Sequence, residues 1–244
     1  MIALGLRTDV SPQEVAASTF LVETGSTSGT AFLVEPDLAI TAAHVVQGHS
    51  FVGLAPVGGD AGAMFGKTVP SFVVYLNQET DLAVLRLLSP SENTPLELVG
   101  ELPALGAAVS ALGAPGGVFA ITSGEIVGID SDGLTSSTAV APGSSGGPLV
   151  DTAGDVAGVV VQYDWVSKDA ISVPATQVTE FIESVPEGAW SRVPSTTDGP
   201  LIAAWFVSGF LLATVIIAIV ITIFVQRKTR KVRAENLIRI TIER

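Results

Sequence analysis

At 244 residues with a formal net charge of −12, the chain has room for one or two domains, and its acidity excludes a protein that seeks nucleic-acid phosphates. Its 48% hydrophobic content is high for a soluble protein, and a membrane segment explains the excess. Cysteine is absent, yet a segment of about 170 residues buries on the order of two thirds of its unfolded surface, so the core needs no disulfide and the compartment stays unspecified.

Residues 1–15 hold one arginine, a short apolar patch and then Asp9, Ser11 and Pro12. They lack the basic start and apolar centre of a secretory signal, and they predict a flexible arm leading to the first strand. From Thr19 to about Leu87, β-branched and apolar runs alternate with turn signals at Gly25-Ser26, Glu35-Pro36-Asp37 and Gly58-Gly59-Asp60, the pattern of antiparallel β. Within this block, 31–43 reads as two short strands joined at Pro36-Asp37, and the second runs into His44. The chain has only two histidines. His49 follows Gly48 in a polar turn and reads as a solvated loop residue, which leaves His44 as the better placed base. Asp81 stands at the mouth of the alternating strand 82–87, where an acid can face a cleft while the strand behind it is held by the core. Glu79, two residues earlier, is the competing carboxylate.

The Pro- and Glu-rich stretch 89–105 predicts a connector, and a second β block follows to about Val173, with turns at 130–133 and 151–154. This block contains Val140-Ala141-Pro142-Gly143-Ser144-Ser145-Gly146-Gly147-Pro148-Leu149-Val150, a glycine-crowded turn between two apolar runs. Glycine visits positive φ without steric cost, and proline fixes the flanks, so such a turn can aim backbone N–H groups inward. Acyl transfer at a serine needs that geometry, because the tetrahedral oxyanion must meet preorganised donors, here Gly143 and Ser145 N–H. Gly/Ser/Pro clusters are also ordinary loop composition, so the base and the acid carry the decision. Two small closed barrels with a cleft between them would bury their strand edges and bring His44, Asp81 and Ser145 together.

Residues 174–185 place apolar side chains at helical spacing behind a proline, predicting a closing helix. The stretch 186–200 mixes Pro, Ser, Thr, Gly and Asp and reads as a linker. Residues 201–225 follow without one charge, 25 in a row, enough at about 1.5 Å per residue to cross a hydrocarbon core of about 30 Å. The tail, 226–244, opens with Arg227, Lys228, Arg230, Lys231 and Arg233, so the positive-inside rule puts it in the cytoplasm and the β domain outside a cell membrane crossed once. Seven of the 12 Lys and Arg lie beyond Val225, leaving five against 22 Asp and Glu ahead of it, a charge that holds the domain off an anionic lipid face. Export without a leader leaves three routes open: a start upstream of Met1, translocation of the domain by the span itself, or a tail-anchored cytosolic domain. The basic cluster favours the outward orientation.

The segments TAAHVV, DLAVLRL and PGSSGGPLV, ordered His, Asp, Ser, resemble the chymotrypsin-like serine proteases, with the bacterial HtrA/Deg-type branch closest. The resemblance covers about Ala17–Val185 and includes Ser28-Gly29-Thr30-Ala31-Phe32, the Gly-Pro turn at 111–117, the strand at 122–127 and the cleft-wall strand at 154–161. It implies an all-β fold of two six-stranded antiparallel barrels, about 16–90 and 105–173, within a protease domain spanning 16–185. It further implies Ser145 as nucleophile, His44 as general base then acid, Asp81 as its orienting carboxylate, and an oxyanion hole of Gly143 and Ser145 N–H. The matching positions of the first substrate pocket are Ala139, Val140, Val161 and Gln162, uncharged and suited to a small or medium aliphatic side chain. No metal or cofactor is implied, and the partners are protein or peptide substrates plus the bilayer, with no oligomeric state specified. Ser144 departs from the family, which carries Asp or Asn there, so loop ordering has to come from elsewhere, such as the substrate. The linker and span leave no PDZ domain after the protease segment. The expectation is a membrane-anchored serine endopeptidase of extracytoplasmic protein processing or quality control. The alternative is a catalytically silent receptor or scaffold that binds peptides in its cleft.

Overall fold

The computed structural model describes residues 12–24, 27–57, 68–130 and 133–190. Strands β1 (Thr19–Glu23), β2 (Ser28–Glu35), β3 (Leu38–Ala42), β4 (Phe51–Pro56), β5 (Val69–Asn77) and β6 (Leu82–Leu87) close a barrel in the order β1-β2-β3-β6-β5-β4. A second barrel closes as β10-β11-β12-β9-β8-β7, from β7 (Ala108–Gly113), β8 (Ala120–Asp130), β9 (Gly133–Ser136), β10 (Pro148–Val150), β11 (Val156–Tyr163) and β12 (Ala170–Pro174). Every strand pairing within the barrels is antiparallel. The all-β expectation of two six-stranded barrels is met.

Successive residues of a strand face opposite sides, so a strand that is apolar throughout must be covered twice. Strands β2, β3 and β6 are covered in this way. Ala31, Leu33, Ala39, Ala83, Leu85 and Leu87 fill the interior of the first barrel. Phe32, Leu38, Ile40, Leu82 and Val84 point the other way, into a cluster shared with Leu112, Val150, Val159 and Val173 of the second barrel. The seam between the barrels is therefore a hydrophobic layer, and β3 and β6 run through it side by side, Ala42 opposite Leu82.

The connector 89–105 is packed rather than free. Ser91 N–H donates to Pro36 C=O, Leu96 N–H to Leu33 C=O at 2.9 Å, and Val99 N–H to Val156 C=O at 2.9 Å, so the segment straps one barrel to the other. Helix α1 (Pro12–Ala17) replaces the end of the expected arm, because Val15 is apolar and buries itself in the seam cluster. Helix α2 is the single turn Ala43–Val46. Helix α3 (Ala175–Glu183) buries Ala175, Val178 and Phe181, with Phe181 stacked on Tyr75 of β5 at 5.8 Å between ring centroids. Helix α4 (Glu187–Trp190) occupies the start of the expected linker. It buries Ala189 and sets the Trp190 ring 5.1 Å from the Arg86 guanidinium, so the chain stays on the first barrel up to this point. Among the described residues no helix is long and apolar enough to cross a membrane. The span expected at 201–225 and the tail lie outside the described residues.

Candidate active site

His44 and Asp81 are set at the ends of the two seam strands. β3 runs into α2, where Ala43, Val45 and Val46 are buried and fix the turn, leaving the His44 side chain 47% exposed. Asp81 immediately precedes β6 and has φ 52, a left-handed conformation that aspartate tolerates better than most side chains. Its backbone C=O accepts the Ala43 N–H at 3.0 Å, its Oδ1 accepts the His44 N–H at 2.9 Å, and its Oδ2 lies 2.6 Å from His44 Nδ1. A carboxylate has no proton to donate, so Nδ1 carries the shared hydrogen, and in the neutral imidazole Nε2 is left with a lone pair. Glu79, the competing acid, sits in the β5–β6 turn with its N–H on Asn77 Oδ1, and the imidazole is bonded to Asp81 instead. His49 closes the turn after α2 through its N–H to Val46 C=O.

The side-chain bond from Asp81 raises the His44 pKa above the ordinary histidine value, aided by the carboxylate charge and opposed by burial. Protonated His44 therefore favours the folded state below the unfolded histidine pKa, and that contribution fades as pH rises through the raised folded value.

The serine loop 141–147 belongs to the second barrel and is pressed onto both. Gly143 has φ 104 and Gly146 φ 84, where other residues are strained. At Gly146 a side chain would also run into Thr30 O, Thr41 Oγ1 and Ala42 N of the first barrel. Among the described residues five backbone bonds hold the turn: Ser144 N–H to Ala141 C=O, Gly146 N–H to Val160 C=O, Val160 N–H to Gly147 C=O, Gly147 N–H to Ser144 C=O, and Thr30 N–H to Ser145 C=O, between 2.7 and 3.0 Å. Among the described residues, neither Gly143 N–H nor Ser145 N–H donates to a protein acceptor. Those are the two groups expected to face an oxyanion. Ser144 is buried against Gly113, with its Oγ 3.4 Å from the Ala141 N–H. The loop is thus tied by backbone and side-chain bonds to Thr30 and Val160 as well as within itself.

Gly29 of β2 locates the loop relative to His44. A Cβ built there would stand 2.6 Å from both Val45 methyl carbons and 3.0 Å from Ser145 O. Val45, the residue after His44, and the Ser145 backbone therefore both close on the Cβ position of one glycine, across the seam.

The remaining expected positions lie on the second barrel. Ala139 is exposed and Val140 half-buried against the barrel interior, on the stretch leading into the serine loop. Val161 and Gln162 lie on β11, where the register with β12 slips between Val160 and Gln162. Such a bulge re-aims a side chain, a common feature beside active sites. The sequence alone assigns no role in this site to Thr30, whose hydroxyl donates to Gly143 C=O at 2.7 Å and accepts the Ala114 N–H at 3.0 Å. Its signal in the sequence is its place in the family-like segment Ser28-Gly29-Thr30-Ala31-Phe32, which marks the strand and says nothing of this bond.

The sequence profile of the trypsin-like peptidase domain matches residues 29–159. Serine protease Rv3671c of Mycobacterium tuberculosis is 33% identical over 150 residues, 54% of this chain and 35% of that protein. Mouse serine protease HTRA4 is 29% identical over 181 residues, 68% of this chain and 36% of that protein. The chain thus spans about a third of the length of these curated relatives. Crystal structures of the Rv3671c protease superpose with TM-scores of 0.62 for an inactive form and 0.61 for the active form, both at 26% identity over 73% of this chain. They are covered to 98% and 88% of their own lengths.

Proposed function

The chain belongs to the trypsin-like peptidase family, and from that membership we propose that it is a membrane-anchored serine endopeptidase working through Ser145, His44 and Asp81. The observation that carries this reading is the 2.6 Å bond between His44 Nδ1 and Asp81 Oδ2. It leaves Nε2 as the base, and the serine loop packs on the same glycine as the residue after His44. Ser145 Oγ attacks the peptide carbonyl while His44 Nε2 takes its proton. The oxyanion is received by the Gly143 and Ser145 N–H groups. His44 returns the proton to the leaving amine, and the C–N bond breaks to give an acyl-enzyme. Water then repeats the sequence on the ester, releasing the acid and restoring Ser145. No metal or cofactor enters these steps.

A fluorophosphonate probe tests the reading. Covalent labelling of the full chain that disappears in Ser145→Ala supports it; a folded chain that is never labelled favours a silent peptide-binding scaffold.

Ala139, Val140, Val161 and Gln162 bring no charge to the first pocket, so kcat/KM for peptides with Val or Ala before the scissile bond is expected to exceed that for Arg by about 10-fold or more. A preference for Arg would refute this pocket.

The apolar stretch 201–225 followed by five basic residues supports a single span with the peptidase domain outside the cytoplasm, in extracytoplasmic protein processing or quality control. A membrane-impermeant amine reagent on intact cells is expected to modify the exposed Lys168 and spare Lys228 and Lys231 until lysis. The reverse pattern would place the domain in the cytoplasm.

A further inference from the structure

Thr30 belongs to the first barrel, yet it makes three of the bonds that shape the serine loop region of the second. It is fully buried. Its N–H donates to Ser145 C=O at 2.8 Å, and its Oγ1 donates to Gly143 C=O at 2.7 Å while accepting the Ala114 N–H at 3.0 Å. Its own C=O accepts the Thr41 hydroxyl at 2.7 Å, which ties it back to β3. The hydroxyl has one proton to give and lone pairs to receive with, and both capacities are used.

The peptide units of the loop show what these bonds do. A peptide is planar, so fixing its C=O fixes the N–H on the other side. The unit joining Gly143 to Ser144 is held at both ends, by Thr30 Oγ1 and by Ala141 C=O. The unit joining Ser145 to Gly146 is held by Thr30 N–H and by Val160 C=O. These two units lie directly after the Gly143 and Ser145 N–H groups, which find no protein acceptor among the described residues. Gly143, at φ 104, has no side chain to restrict its rotation, so its conformation depends on where its carbonyl is bonded.

We propose that Thr30 is a positioning residue that maintains the oxyanion geometry of the serine loop from across the barrel seam. This rests on the peptidase reading. Its consequence is that the first barrel supplies the brace for the second barrel's oxyanion donors in addition to the base and the acid.

Thr30→Val keeps the shape and deletes the hydroxyl, whereas Thr30→Ser keeps the hydroxyl and deletes a methyl. Ser18→Ala is the control, since it removes another hydroxyl bond of the first barrel, to Thr94 C=O at 2.6 Å, away from the loop. Saturation kinetics of fluorophosphonate labelling give kinact and KI for each full-length variant. In Thr30→Val, kinact is expected to fall about 10- to 100-fold with KI little changed, because the donors are misplaced only where charge develops. Thr30→Ser and Ser18→Ala are expected to stay within about 3-fold of the parent, a smaller change than displaced donors produce. A role confined to stability lowers the fraction of molecules labelled and leaves kinact unchanged. That result overturns the proposal, as does a Thr30→Ser chain as slow as Thr30→Val. Should Thr30→Val yield no folded protein, Thr30→Ala takes its place in the same comparison. If the parent is labelled and Thr30→Val labels equally fast, the brace alone is refuted; if the parent is never labelled, the peptidase reading falls and the proposal with it.

Discussion

Ser145→Ala lowers kcat for a peptide substrate by about 10⁴- to 10⁶-fold and leaves KM nearly unchanged. The size follows from the loss of the nucleophile, which no neighbour can replace. Ser144 is the adjacent hydroxyl, but it is buried on the Gly113 side of the loop with its Oγ near the Ala141 N–H. The substitution is also clean. The bonds that fix the loop at residue 145 run through backbone atoms, among them Thr30 N–H to Ser145 C=O, so they survive truncation of the side chain. Unfolding monitored by circular dichroism is therefore expected to give the parent's midpoint. A residual rate within 10-fold of the parent would remove Ser145 from the chemistry.

Asp81→Asn is expected to reduce kcat by about 10⁴-fold and to move the acidic limb of the kcat/KM profile to lower pH. The carboxylate has two tasks. Through Oδ2 it selects the tautomer with hydrogen on Nδ1, and through the same bond and its charge it raises the imidazole pKa. Hydrolysis requires neutral His44, so the parent's activity rises with pH through a value above that of ordinary histidine. Removing the charge takes that limb downward, although the enzyme is slower at every pH. Asparagine shares aspartate's tolerance of left-handed backbone, so φ 52 at this position adds no strain to the variant. An unmoved limb, or one shifted upward, would contradict the assigned role of Asp81.

Much of this was legible in the sequence. Where a strand is covered on both faces its apolar residues run together, as in β3 ahead of His44; β6, read as an alternating strand behind Asp81, is covered on both faces as well. The serine loop was legible as a tight turn from its glycines and prolines, and as a candidate site only beside His44 and Asp81. Neither feature needs knowledge of distant contacts. What the sequence withheld is long-range. Thr30 meets Gly143 across 113 residues, and no local pattern encodes such a bond. The same holds for 89–105, whose Pro- and Glu-rich composition predicts a connector but not the backbone bonds that tie it to Leu33 and Val156. Val15 and Trp190 lie in stretches too short to show periodicity, and packing alone places them, Val15 in the seam and Trp190 over Arg86. Ser144, which breaks the family pattern, implied that loop order comes from elsewhere, and the bonds from Thr30 and to Val160 are such a source.

The acyl-enzyme is the point at which the nucleophile, the base and the oxyanion donors must all be in place. Rapid acid quench of the full chain during turnover of an activated peptide ester, followed by digestion and mass spectrometry, locates the acyl group directly. The account predicts a single acylated residue, Ser145, absent when His44 is replaced by alanine. Acylation at Ser144 or elsewhere, or turnover of the ester with no covalent species trapped, would contradict it.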